Sequence, residues 1–142
     1  MKGIAVFQNK ASGYILFVQH KDHVAVNVHL QGLSDGKHGF HIHKYGNLLK
    51  TDCSKCGGHY NPSGVSHGGR SSGHAGDLGN LVFRNGKSNT RFTVAKFKLE
   101  DVFGRSVVIH ELEDDLGKGP NAESRKTGNS GARIASAVIG RC

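Results

Sequence analysis

The sequence has no tryptophan, one methionine, two prolines and three cysteines, and only 7% of its residues are aromatic. Each scarcity excludes something. No apolar run approaches the ~20 residues a membrane helix needs, so a spanning helix is excluded. Three cysteines are too few to frame a disulfide-built secreted module. The chain does not need such a frame, since one of this length buries ~70% of its extended surface on folding. The missing tryptophan and thin aromatics count against a base-stacking nucleic-acid surface. Apolar residues amount to 36%, and 21 glycines stand against two prolines, which favours many turns over a long helical bundle. The glycines show no period of three, so collagen is excluded.

What is present is basic and rich in histidine. The 142 residues are one domain's worth of chain. Lys and Arg number 19 against 11 Asp and Glu, giving +8. Such a balance attracts anions, but the bases are scattered rather than clustered. The apolar run at the N-terminus stops at Gln8. That is too short for a signal-peptide core, so a cytoplasmic location is expected. Ten histidines run from His20 to His110, too spread out for a tag.

Strand signals dominate. Val24, Val26, Val28 and Leu30 alternate with Ala25, Asn27 and His29, which gives one apolar face at a period of two. Ile4–Phe7, Tyr14–Val18 and Val107–Ile109 are further short strand candidates. Leu81–Arg84 and Ser88–Val94 flank Asn85-Gly86, a strong type I′ hairpin signal. Two stretches break the rhythm. Residues 44–79 hold Gly, Ser, His and Asn with little apolar periodicity. Residues 111–133 are charged, with one short helical turn expected near Asn121–Lys126. Loops of this length in a compact domain are usually functional or disordered, and adjacent histidines favour function.

In Gly39-Phe40-His41-Ile42-His43, residues two apart on a strand share a face, so His41 and His43 can aim at one ion. His59, His67, His74 and Asp77 follow within nineteen residues, and His110 ends a β-branched run. A loop with little core of its own can be ordered by a metal. Imidazole suits copper and zinc, and a lone carboxylate among histidines is typical of zinc. Spacing alone leaves open which ligand goes where. Cys53-Ser-Lys-Cys56 has zinc-ribbon or redox spacing, but no second cysteine pair completes a four-thiolate site. Plain loop thiols fit it as well.

Several motifs in order then resemble one family. They are Gly39-Phe40-His41-Ile42-His43, His59-Tyr60-Asn61-Pro62, Gly76-Asp77-Leu78-Gly79-Asn80, His110-Glu111, Asp114 to Gly119 and Thr127 to Arg133. The chain resembles the copper/zinc superoxide dismutases from Gly3 to Gly140. The resemblance implies an all-β fold, an eight-stranded antiparallel Greek-key β-barrel or sandwich. It would carry a long metal-binding loop and a charged electrostatic loop in a single domain over residues 1–142. It implies dismutation of superoxide to oxygen and hydrogen peroxide, copper and zinc as cofactors, and a homodimer, with neither nucleic acid nor membrane as partner.

Carried over residue by residue, the resemblance makes His41, His43, His59 and His110 copper ligands. His59, His67, His74 and Asp77 become zinc ligands, with His59 bridging both metals. Asp114 resembles the carboxylate that links a copper ligand to a zinc ligand and fixes ring orientation. Asp115 is expected to be solvated or bonded within its loop. Arg133 resembles the arginine beside copper, whose fixed donors suit a small anion. Arg133 and His59 are thus the catalytic candidates, and Lys126, Thr127 and Glu123 the substrate-steering ones. Ala122 and Arg125 make this loop more positive than the family pattern. His38 resembles a structural histidine, while His20, His23 and His29 are expected on surface strands.

One departure stands out. The family's disulfide joins the metal loop to a strand near the C-terminus. Cys53 matches its first half, but the second falls at Ser136. No family-type disulfide is expected; three free thiols would support that, and a single one would refute it. The place of Cys142, six residues beyond Ser136, stays open among pairing with Cys53 or Cys56, linking subunits and remaining free. A non-catalytic copper-binding or chaperone module on the same fold is the alternative function. The retained ligand set and Arg133 count against it.

Overall fold

The computed structural model describes all 142 residues. Its strands are β1 (Lys2–Asn9), β2 (Ala11–Gln19), β3 (Val24–Gln31), β4 (Gly36–His43), β5 (Asp77–Phe83), β6 (Lys87–Val94), β7 (Ser106–His110), β8 (Arg133–Val138) and a two-residue β9 (Gly140–Arg141). One sheet runs β6-β3-β2-β1-β9 and the other β5-β4-β7-β8, with every pairing antiparallel. Eight strands form the sandwich expected from the sequence, and β9 extends its edge beside β1.

The alternation along β3 places Val24, Val26, Val28 and Leu30 in the core and leaves His29 exposed. Asn85 and Gly86 both take positive φ, 53° and 73°, as a type I′ hairpin requires. The core lies between the sheets. Phe7, Ile15 and Phe17 from one meet Phe40, Ile42, Phe83 and Ile109 from the other. The helical turn near residue 121 is a short 3-10 helix at Ala122–Arg125, capped by the Asn121 side chain, which accepts from the Ser124 amide. No helix is long and apolar enough to cross a membrane.

Period two on β4 also sets the site. Phe40 and Ile42 enter the core, so His41 and His43 project from the opposite face of the sheet. That face would be wet in a bare sheet, yet both histidines are buried, at 0% and 1% exposure. The long connections 44–76 and 111–132 fold over it. His110 reaches the same face from the end of β7, next to Arg133 on β8, where the pairing register shifts.

Of the three histidines expected on surface strands, only His29 lies on one. His20 and His23 occupy the turn between β2 and β3, with their rings stacked 4.7 Å apart. His38 ties the loops, its ring nitrogens lying 2.8 Å from the Ser34 and His110 carbonyl oxygens.

Candidate metal centre

The structure brings the histidines of β4, β7 and the first loop together. Ligand-type atoms of His41, His43, His59 and His110 all lie within 4.8 Å of one another. Hydrogen bonding decides which nitrogen each ring presents. A carbonyl or carboxylate oxygen only accepts, so the ring nitrogen facing it carries the proton and the other keeps its lone pair. His41 Nε2–H donates to Asp114 Oδ2 (2.6 Å). His43 Nδ1–H donates to Gly57 O (2.9 Å), and His110 Nδ1–H to Gly131 O (3.0 Å). Lone pairs are left on His41 Nδ1, His43 Nε2 and His110 Nε2. Buried His41 Nδ1 and His59 Nε2 have no hydrogen-bond partner at all. Unpartnered buried nitrogens are costly unless something binds them, and a cation does so.

Burial keeps these rings neutral. It pushes the His110 imidazole down to about 4 and that of His43 far lower still. Burial likewise lowers His41 and His59. Neutral imidazole is the form that binds a metal.

A second cluster adjoins the first and shares His59. His59 Nδ1 lies 3.1 Å from His74 Nδ1 and 3.0 Å from Asp77 Oδ1, and His74 Nδ1 lies 3.2 Å from the same oxygen. His67 Nδ1 is 3.0 Å from Asp77 Oδ2. By mutual approach within 4.8 Å, His41 joins His59, His67 and Asp77 where the sequence reading had His74. The free nitrogen of His41 belongs to the first cluster, however, and the short His74 contacts tie that residue to the second. Burial raises the Asp77 carboxyl. The ring contacts and the Gly68 amide outweigh it and hold the group well below the usual carboxylate range.

Asp114 spans both clusters. Its Oδ1 accepts from His67 Nε2–H at 2.7 Å, while Oδ2 holds His41. Asn80 clamps the Asp114 backbone, accepting from its amide and donating to its carbonyl. Asn80 lies inside a family-like motif, and nothing in the sequence marks it for this role. Gly128 is a second residue of this kind. At φ +75°, a Cβ there would collide with Asp114 Oδ1 and the His67 ring, so only glycine lets the loop approach this pair. Asp115 is bonded within its loop, to Ser124 Oγ, Asn129 Nδ2 and the Gly117 amide.

The first cluster opens to solvent through a cleft of about 550 Å³ with no apolar side chain in its lining. His43, His59 and His110 form its floor, and Glu123, Lys126, Thr127 and Arg133 stand around it. Arg133 Nη1 donates to Cys53 O at 2.8 Å, which fixes the guanidinium at the cleft. Arg125 is absent from the lining. Its carbonyl instead accepts from the His67 amide.

The expectation of three free thiols is corrected. Cys53 and Cys56 are joined by a disulfide, and Cys142 alone is free and exposed. A tight turn brings their Cα atoms to 5.2 Å, within bridging range. The family-type bond is absent, as expected, because Ser136 has no sulfur; the single free thiol comes instead from the Cys53–Cys56 bridge, which the thiol count did not allow for. Both half-cystines pack with Val108 on the outer face of the sheet, so Cys53 still presents its carbonyl to Arg133.

The family model for copper/zinc superoxide dismutase matches residues 11–139. The chain belongs to the copper/zinc superoxide dismutase family. The Cu-Zn superoxide dismutase of Paramecium bursaria Chlorella virus 1 is 44% identical over 147 aligned residues, covering 99% of this chain and 78% of that protein. The copper chaperone for superoxide dismutase of Rattus norvegicus is 49% identical over 115 residues, covering 79% of this chain and 42% of the chaperone. A crystal structure of the clock protein EA4 superposes with a TM-score of 0.93 at 39% identity, covering 98% of this chain and 93% of that one. Copper and zinc are the metals of the superoxide dismutase family. The donor sets fit them, one all-imidazole and one of imidazoles with a carboxylate.

Proposed function

We propose that this chain is a superoxide dismutase, converting superoxide to oxygen and hydrogen peroxide. The observation that carries the reading is the convergence of four neutral imidazoles beneath a cleft rimmed by fixed positive charge. His41 Nδ1, His43 Nε2, His59 Nε2 and His110 Nε2 would hold copper. His59, His67, His74 and Asp77 would hold zinc. Bound copper supplies one-electron redox chemistry, and bound zinc a redox-inert charge that fixes the shared imidazole.

The chain's own residues do the rest. Arg133, anchored by Cys53 O, turns its remaining N–H donors toward a small anion in the cleft. Lys126 adds positive charge at the rim, which raises the local concentration of an anionic substrate. Thr127 is held against Glu123, its hydroxyl 3.3 Å from the Glu123 carboxylate. His59 Nε2, buried and without a hydrogen-bond partner, has one lone pair for either copper or a proton, and when it holds the proton it can deliver it to peroxide. Asp114 keeps the His41 and His67 rings in place through both half-reactions.

The chaperone relative favours a second reading, a copper-binding module without catalysis. A superoxide assay on the metal-loaded chain separates the two. Dismutation that disappears in His110→Ala supports the enzyme. A metal-loaded chain without dismutase activity, or full activity in His110→Ala, overturns the assignment. The same reading takes the chain as a single functional unit, homodimeric and cytoplasmic. Leu49, 81% exposed, and Val138 supply apolar surface for self-association. Light scattering on the purified chain and cell fractionation test these points.

A further inference from the structure

Lys96 lies between β6 and the Leu99 turn, outside every motif of the metal site, and its ammonium is spent on one loop. Nζ donates to Gly69 O, Ser72 O, His74 O and Asp77 O, at 2.8, 2.8, 2.7 and 2.8 Å. It makes no salt bridge to any carboxylate. An ammonium has three N–H donors, so four carbonyls use it completely. Two of those carbonyls belong to His74 and Asp77.

The loop needs such a tie. Between Asn61 and Asp77 no apolar side chain is buried. Glycines at 68, 69, 73 and 76 raise the entropic cost of ordering the backbone. The two ends of its dipoles are gathered separately. Asp77 Oδ2 accepts from the Gly68 and His74 amides, while Lys96 takes the carbonyls. Hydrogen bonds to a full charge are the strong kind.

We propose that Lys96 is a positioning residue for the zinc site, its ammonium pre-forming the loop that carries His67, His74 and Asp77. The inference rests on the zinc assignment made above. Two effects of the charge oppose each other. Pre-ordering the ligands favours zinc, whereas a nearby cation repels it. Lys96 meets the loop through carbonyls rather than at the ligand atoms, so pre-ordering dominates.

The test uses the full metal-free chain as wild type, Lys96→Met and, as a control that removes an exposed lysine nearby, Lys98→Met. Zinc affinity is measured by competition with a chelator, copper affinity likewise, and loop order by hydrogen exchange of the His67–Asp77 amides. Loss of a supporting contact of this kind typically weakens metal binding about 10- to 100-fold. Lys96→Met is expected to lose zinc affinity in that range and to exchange its loop amides faster. Copper binding at His41, His43 and His110 should hold in the variant, and Lys98→Met should match wild type. A purely structural role would weaken both metals alike. Unchanged or tighter zinc binding, or equal loss of both metals, overturns the proposal. Exchange in β1 to β3 reports whether the sandwich is intact, and Lys96→Gln replaces Lys96→Met if that variant does not fold. A wild-type chain that takes up no zinc overturns the zinc assignment itself, whereas zinc-binding wild type with an unaltered variant overturns only the role of Lys96.

Discussion

Raising the pH from about 7 to about 8 should tighten zinc binding about tenfold, because His67 must lose a proton to become a ligand. The His67 side chain is fully shielded, with Nε2 2.7 Å from Asp114 Oδ1 and Nδ1 3.0 Å from Asp77 Oδ2. Burial opposes charge on the ring, but the two carboxylates win and raise it to about 9. At neutral pH the metal-free chain therefore carries imidazolium at His67, while His43 and His110 are neutral. A metal at Nδ1 displaces one proton and leaves the Nε2–H bonded to Asp114. Two units below its titration point, that displacement costs about 2.7 kcal/mol, and each unit of pH recovers about 1.4 kcal/mol. The window closes near 8, where burial has lowered the Lys96 ammonium and half of it has already lost its proton. Zinc competition across this interval reads the slope. Calorimetry in buffers of different ionisation heat reads the protons, about one per zinc. Asp114→Asn removes one of the two carboxylates and should shrink both numbers. Flat affinity with no proton release would refute the reasoning. The same raised value has a consequence for stability without metal. The His67 contribution is fully present below 6.5, its unfolded value, and is lost as pH rises through about 9. The melting temperature of the metal-free chain should therefore fall across that interval.

Other expectations follow from the cleft and its supports. Arg133→Ala should slow dismutation at least about tenfold while copper stoichiometry stays the same, since the guanidinium guides the anion and ligates nothing. An unchanged rate would remove Arg133 from the mechanism. The wild-type rate should fall as ionic strength rises from about 0.01 to 0.15 M, where the screening length shrinks from about 30 to 8 Å. A rate indifferent to salt would dismiss steering by Lys126 and its neighbours. Gly128→Ala combines about 1–3 kcal/mol of backbone strain with a Cβ driven onto the Asp114–His67 pair. It should lower both melting temperature and zinc affinity, and wild-type values in both would contradict the close approach. Thiol titration under denaturing, non-reducing conditions should find Cys142 alone, and all three cysteines only after reduction. Three thiols before reduction would disprove the Cys53–Cys56 bridge.

The strands were legible because their information is local. Alternation along β3 and the Asn85-Gly86 turn are consequences of a period of two and of positive φ, which nearest neighbours encode. The shared face of His41 and His43 was legible for the same reason. The individual metal roles were not, since spacing leaves ligand pairing open; the ordered motifs of a family suggested them. The Cys53-Ser-Lys-Cys56 spacing was legible as a zinc or redox pattern, but its disulfide was not. Cys53 matched a long-range pattern, and the short bridge to Cys56 depends on a turn that the residues between them do not announce. Asn80 and Gly128 act through Asp114, at separations of 34 and 14 residues, which no motif spans.

The sequence by itself determined a β chain, a histidine-rich loop without a core of its own, and the residue types of one or two metal sites. Local patterning carries all of that. Tertiary structure alone decided which nitrogen each ring presents, because the Gly57, Gly131 and Asp114 oxygens that fix the protons lie 14, 21 and 73 residues from the rings they hold. It alone decided that the ammonium of Lys96, one base among 19, gathers the carbonyls of Gly69, Ser72, His74 and Asp77. An ammonium finds its carbonyls by where the folded backbone gathers them, and the order of side chains along the chain does not record that.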